Sequence, residues 1–129
     1  QHAAAHGLDH PEITEKIAAK YSRRMDGLVK LLRDAGFDAR KPKGSFFLYV
    51  KAPKAATVKN GNGGKRIEFS NAEEISQWLI TERFISTVPW DDAGAALRFS
   101  VTFTAKNPDD EKRIFTELSR RLGSVKFEF

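Results

Sequence analysis

The chain has 129 residues, 40% of them apolar and 30% charged, with a formal net charge of +5, and this composition predicts one compact domain with a real core. No run approaches the roughly 18 apolar residues that span a bilayer, and the start shows no basic and apolar signal-peptide pattern, so we expect neither feature. The absence of cysteine excludes disulfides and thiolate catalysis and leads us to expect a cytoplasmic protein. The basic residues are dispersed among 17 acidic ones, so the net charge is a weak clue to any anionic partner.

Apolar residues recur at helical spacing between Pro11 and Ala35 and predict one long helix. Pro11 suits a first helical turn, and Gly36 can adopt the left-handed conformation that ends a helix. The side chains expected to form its buried stripe are Ile13, Ile17, Tyr21, Leu28, Leu32 and Ala35.

The segment from Ser45 to Lys51 is dense in aromatic and branched residues and predicts a strand. Residues 53–66 are rich in glycine, asparagine and lysine, and we expect a long mobile loop there. A second helix is predicted over about residues 71–83, because Ser70 and Glu73 have the spacing of a capping box.

Two further strands and a helix follow. Residues 85–88 are short and branched, and residues 97–104 alternate strictly, so both are predicted to be strands. The alternation places one set of side chains inward, Leu97, Phe99, Val101 and Phe103, and the other outward, Arg98, Ser100, Thr102 and Thr104.

Asn107 and Pro108 predict the start of a last helix, which Gly123 should end. Its expected apolar face consists of Ile114, Phe115, Leu118 and Leu122, and residues 125–129 are expected to add a short strand. The order of elements predicts an α+β fold: a small antiparallel or mixed sheet of three to four strands with helices on one face.

Several segments occur in the order found in the C-terminal region of fold-type I, pyridoxal-phosphate-dependent aminotransferases of class I and II, and the chain resembles that family. The first helix, with Tyr21, Arg23 and Arg24, resembles the helix that connects the large domain of these enzymes to the small one. The other matching segments are Lys41-Pro42-Lys43-Gly44-Ser45-Phe46-Phe47-Leu48-Tyr49, Ile85-Ser86-Thr87-Val88-Pro89 and Leu97-Arg98-Phe99-Ser100. Within the family, Gln1-His2-Ala3-Ala4, Pro42 to Val50 and Thr87 to Gly94 are most similar to LL-diaminopimelate aminotransferases.

The resemblance implies that residues 1–35 are the connecting helix and residues 36–129 the small domain, so we expect a fragment whose N-terminal large domain is missing. The implied whole enzyme is a homodimer that uses pyridoxal phosphate to transfer an amino group between an amino acid and a 2-oxo acid. The family's Schiff-base lysine usually follows a serine or threonine by three residues, and that spacing does not occur here. We therefore expect no catalytic lysine, no cofactor-binding residue and no activity in this chain alone.

The resemblance implies that Arg98 binds the α-carboxylate of the substrate. A guanidinium suits this task because its planar donors meet both carboxylate oxygens at once, and Arg98 is predicted to face away from the core. From the residues alone, an ordinary solvated arginine is the alternative. The loop before Arg98 departs from the Pro-Gly and Phe-Gly pattern of many relatives, since Pro89 is followed by Trp90-Asp91-Asp92-Ala93-Gly94.

Two other interpretations stay open at this point, and a third, a metal site, is disfavoured. Lys43 to Val50 superficially resembles the aromatic strand of an RNA-recognition domain, so a small basic RNA-binding domain is the alternative function. Trp78 and Trp90 would suit an association module. A metal site is not expected, because Gly7 and Pro11 weaken the helix that would align the three histidines, His2, His6 and His10.

Overall fold

A computed structural model describes residues 1–59, 64–92 and 94–129. The helices of these residues are α1 (His2–Asp9), α2 (Pro11–Asp34), α3 (Ala72–Arg83) and α4 (Pro108–Gly123). The strands are β1 (Phe47–Lys51), β2 (Ala55–Val58), β3 (Arg66–Glu68), β4 (Val88–Trp90), β5 (Ala96–Ser100) and β6 (Val125–Glu128). Within these ranges, no helix combines the length and the apolar character that crossing a bilayer requires.

The strands form two antiparallel sheets of three strands each, in the orders β1-β5-β4 and β3-β2-β6. The predicted α+β class is confirmed, with two small sheets where the sequence indicated one. Alternate side chains of β1 and β5 enter the core, among them Leu48, Val50, Leu97 and Phe99. The first sheet is therefore covered on one face and leaves the other available for a site.

The second sheet was missed by the sequence analysis. Residues 55–58 were expected to lie in a mobile loop, but they form β2, the central strand between β3 and β6. Ala55 and Ala56 are fully buried, and such small side chains carry little of the β-branched or aromatic signal that marks a strand. Residues 60–63 of the expected loop lie outside the described residues.

The long helix is confirmed, but its predicted buried stripe is wrong over the first half. Leu28 and Leu32 are in the core, whereas Ile13 and Ile17 are 43% and 50% exposed, because the core packs only under the second half of α2. The end of the helix is as predicted. Gly36 has a φ of +95°, and the Phe37 N–H donates to the Leu32 carbonyl at 3.0 Å.

The cap of α3 lies one residue later than predicted. Asn71 is the N-cap, and its Oδ1 accepts from the Glu74 N–H at 2.9 Å, while Glu74 Oε2 accepts from the Ser70 N–H at 2.8 Å. The predicted pair of Ser70 with Glu73 is therefore wrong. For α4 the predicted cap is confirmed, since Asn107 Oδ1 accepts from the Asp110 N–H at 2.8 Å.

Replacing Asn71 by alanine is expected to lower the free energy of unfolding by about 1 kcal/mol, because the Glu74 N–H would lose its partner at the start of α3. Urea-induced unfolding of this chain measures the change. Gln77→Ala, an exposed substitution inside the same helix, is the control and should have little effect. Equal stabilities of the Asn71→Ala variant and the parent chain would contradict the capping role.

Both short strands of the first sheet differ from their predicted bounds. The strand expected over residues 85–88 begins at Val88 and runs to Trp90, and the strand expected over residues 97–104 ends at Ser100. Beyond that point the carbonyls of Val101 and Phe103 accept hydrogen bonds from a side chain, the guanidinium of Arg24, at 3.2 and 2.6 Å. The inward side chains of the strand are buried as predicted as far as Val101.

Arg24 is the one charged side chain that is buried among the described residues, at 2% exposure. Its Nε donates to Glu111 Oε2 at 2.7 Å, and its guanidinium lies 4.1 Å from the ring centroid of Phe103. The neighbouring Arg23 reaches the same carboxylate at 3.2 Å from a largely exposed position. These contacts join α2 to α4 and to the segment after β5.

Candidate functional site: the open face of the first sheet

The face of the sheet β1-β5-β4 that points away from the core is called the open face here. Strand alternation and register define its members, because side chains directly opposite each other in antiparallel strands share a face. They are Phe47, Tyr49 and Lys51 of β1, Ala96, Arg98 and Ser100 of β5, and Val88 and Trp90 of β4.

Arg98 lies on the central strand of this face, opposite Tyr49 on one side and Val88 on the other. Its side chain is half-buried, and its guanidinium carbon lies 4.3 Å from the ring centroid of Phe47. Within the described residues, Arg98 has no hydrogen bond or ion pair to another side chain or carbonyl. The predicted orientation of Arg98 away from the core is confirmed by these positions.

Phe47 contacts this guanidinium, and two further aromatic side chains, those of Tyr49 and Trp90, belong to the same face. Tyr49 and Trp90 are 49% and 43% exposed, and their rings meet edge to face with centroids 6.3 Å apart. Apolar rings next to a cation reduce its hydration and so strengthen its interaction with an anion. The arrangement is suited to binding a planar anion, such as a carboxylate, against an apolar surround.

Asp91 anchors β4 and was not recognised from the sequence, where Asp91-Asp92 were taken as plain loop residues. Asp91 Oδ1 accepts from the Ala72 N–H at 2.8 Å, at the positive end of α3. This bond ties the residue after Trp90 to a rigid helix and so fixes that edge of the open face. No sequence signal marks this contact, because Asp91 and the start of α3 are 19 positions apart.

Two of the three histidines, His2 and His6, lie on α1, which forms in spite of Gly7, whereas His10 lies between α1 and α2 with a non-helical φ of −124°. The rings of His6 and His10 lie 4.2 Å apart, and His10 Nδ1 is 2.8 Å from Glu12 Oε1. In the part of the chain that the structure describes, no three histidine, cysteine or acidic side chains are grouped as metal ligands would be.

Comparison of the sequence with known protein families identifies the class of protein to which this fold and its open face belong. The family profile of aminotransferase class I and II matches residues 1–116, and the chain belongs to this family. It is 49% identical over 134 residues to the LL-diaminopimelate aminotransferase of Methanococcus maripaludis and 47% identical over 137 residues to that of Methanocaldococcus jannaschii. Both alignments cover all of this chain, which spans 30% and 31% of the length of these relatives.

The fold has a solved counterpart in the substrate-bound BacF structure from Bacillus subtilis. The TM-score is 0.63 at 20% identity, covering 92% of this chain and 26% of the other. The predicted resemblance to the aminotransferase family is thus confirmed in sequence and in fold. None of these matches favours the RNA-binding alternative, and Trp78, one of the two tryptophans considered for association, packs half-buried against Phe69 with ring centroids 5.7 Å apart.

Proposed function

We propose that this chain is the part of an aminotransferase that binds the α-carboxylate of the substrate, with Arg98 as the binding residue. The whole protein would transfer an amino group between an amino acid and a 2-oxo acid. LL-diaminopimelate is the proposed amino donor, because the two relatives that share almost half of the sequence carry that name. A large domain and a second copy of the chain are the proposed partners.

One observation carries this proposal: a guanidinium on the central strand of an open sheet face keeps its N–H donors uncommitted within the described residues. The donors of a guanidinium lie in one plane and match both oxygens of a carboxylate, and the charge persists at every physiological pH. Arg98 would bind this group and orient the substrate, so that the bond broken at Cα keeps a fixed direction.

Pyridoxal phosphate is the proposed cofactor of the whole protein, and when bound it would withdraw electrons from the substrate's Cα. The open face does not fit this cofactor by itself. Its phosphate needs a cradle of N–H donors, whereas Arg98 borders none of four well-formed cavities among the described residues. We assign no residue of this chain to the cofactor and limit its role to binding and orienting substrate.

The proposed activity is tested with the whole protein, pyridoxal phosphate, LL-diaminopimelate and a 2-oxo acid such as 2-oxoglutarate, by following the amino acid that the 2-oxo acid becomes. We expect LL-diaminopimelate to give a higher kcat/KM than lysine, the matched donor that lacks the second carboxylate, and than aspartate. Failure of every donor to react would contradict the amino-transfer proposal. A preference for aspartate would contradict only the assignment of the substrate.

A further inference from the structure

A row of aromatic rings leads from the long helix to Arg98. The ring of Tyr21 on α2 lies 6.1 Å from that of Phe46, and the ring of Phe46 lies 4.5 Å from that of Phe47. The guanidinium of Arg98 completes the row, 4.3 Å from the centre of the Phe47 ring. Arg98 thus packs against Phe47, whose ring is in turn packed against that of Phe46.

The direction of this packing matters because the two faces and the edge of a guanidinium have different chemistry. Its N–H donors all lie in the plane of the group, whereas an aromatic ring that covers one face interacts with the charge and takes up no donor. A guanidinium stacked on Phe47 at the observed 4.3 Å would leave its N–H edge free for a carboxylate. A carboxylate or amide partner in the same place would instead occupy donors.

We propose that Phe47 is a positioning residue for Arg98, and that its ring fixes the plane of the guanidinium so that the N–H edge is presented to the substrate carboxylate. This inference rests on the proposed function of Arg98. An arginine has many rotamers, and one that is already restrained loses less conformational freedom when the substrate binds. The effect of Phe47 on the reaction would pass entirely through Arg98.

The position of Phe47 is itself closely determined. Phe47 lies opposite Ser100 in the sheet, and its N–H donates to Ser45 Oγ at 2.9 Å. Ser45 has a φ of +147°, a conformation that residues with side chains rarely adopt and that persists only where the surrounding structure enforces it. The Val101 N–H donates to the Phe46 carbonyl at 3.1 Å, which ties the same turn to the residue after β5.

The test uses Phe47→Leu in the whole protein, because leucine keeps the apolar volume and removes the ring. We expect KM for the amino-acid donor to rise about three- to tenfold with kcat nearly unchanged. The lost cation–π contact restrains Arg98 in the free enzyme, so its loss weakens binding of the donor equally in the ground state and the transition state. Phe47→Tyr retains the ring and should restore the parent KM. Phe129→Leu is the matched control, a phenylalanine that is 37% exposed and packs on Phe37 away from the open face.

A double-mutant cycle separates positioning from a merely structural role. In an Arg98→Ala background there is no guanidinium to hold, so adding Phe47→Leu should change KM less than twofold. A full three- to tenfold rise in that background, or a single Phe47→Leu variant with the parent KM, would overturn the positioning role. If Arg98→Ala itself leaves KM and kcat unchanged, the proposed function of Arg98 fails, and the role of Phe47 fails with it.

Discussion

Arg98→Lys is expected to lower kcat/KM for an amino-acid donor by about ten- to a hundredfold or more in the whole protein. Lysine keeps the positive charge but offers a point charge in place of two parallel donors, so one charge-assisted hydrogen bond, worth about 1.5 to 3 kcal/mol, is lost. The shorter reach of the ammonium donors also leaves the substrate less well oriented. Steady-state kinetics with varied donor concentration measures the loss.

The matched control for this substitution is Arg66→Lys. Arg66 is also a strand-borne arginine, but it lies on β3 and its guanidinium bonds to Glu68 and Glu128, the latter at 2.9 Å. An exposed ion pair of this kind contributes little, and its loss should leave kcat/KM within about twofold of the parent. Parent-like kinetics for Arg98→Lys would remove Arg98 from the substrate site.

The parts of the fold that could be predicted are those whose cause lies within a few residues. Pro11 and Gly36 bound α2, and Asn107 starts α4, because capping depends on neighbouring N–H and carbonyl groups. The inward and outward faces of β5 followed from alternation alone, which is why Arg98 could be placed outside the core.

The errors have causes far along the chain. β5 ends at Ser100, and the Val101 carbonyl that follows accepts a hydrogen bond from Arg24, 77 positions earlier. β2 exists because β6, at the other end of the chain, pairs with it. The apolar residues Ile13 and Ile17 were expected to be buried, since periodicity marks an apolar face without showing what packs on it.

The candidate site was only partly accessible from the sequence. Resemblance to a family indicated a role for Arg98, and no periodicity could have done so. The contact with Phe47 depends on a register that pairs Phe47 with Ser100, and register is set by three-dimensional packing. A partial signal was present in the sequence, because it predicted a strand dense in aromatic residues over Ser45 to Lys51.

Arg24→Met is expected to lower the free energy of unfolding by about 3 kcal/mol, because it leaves the carboxylate of Glu111 and two backbone carbonyls without their buried donor. Methionine is similar in length, so little of the loss would come from a cavity. Arg23→Met is the matched control: Arg23 bonds to the same carboxylate but is 62% exposed, and less than about 1 kcal/mol should be lost. Urea-induced unfolding of this chain at pH 7 measures both changes.

The pH dependence of the Arg24→Met effect identifies the ion pair as its cause. Burial opposes the charge on Glu111, but hydrogen bonds from Arg24 and Arg23 hold the pKa of that carboxyl below its ordinary value of 4.5. A group with a lowered pKa stabilises the fold above its unfolded-state pKa, and this contribution is lost as the pH falls through the folded-state pKa. The difference in unfolding free energy between the parent chain and Arg24→Met should therefore narrow as the pH falls from 7 through the lowered folded-state pKa of Glu111, below which this carboxyl is protonated in both proteins. A gap that stays constant over this range would show that Arg24 stabilises the chain through its two carbonyl bonds and the Phe103 ring, and not through Glu111.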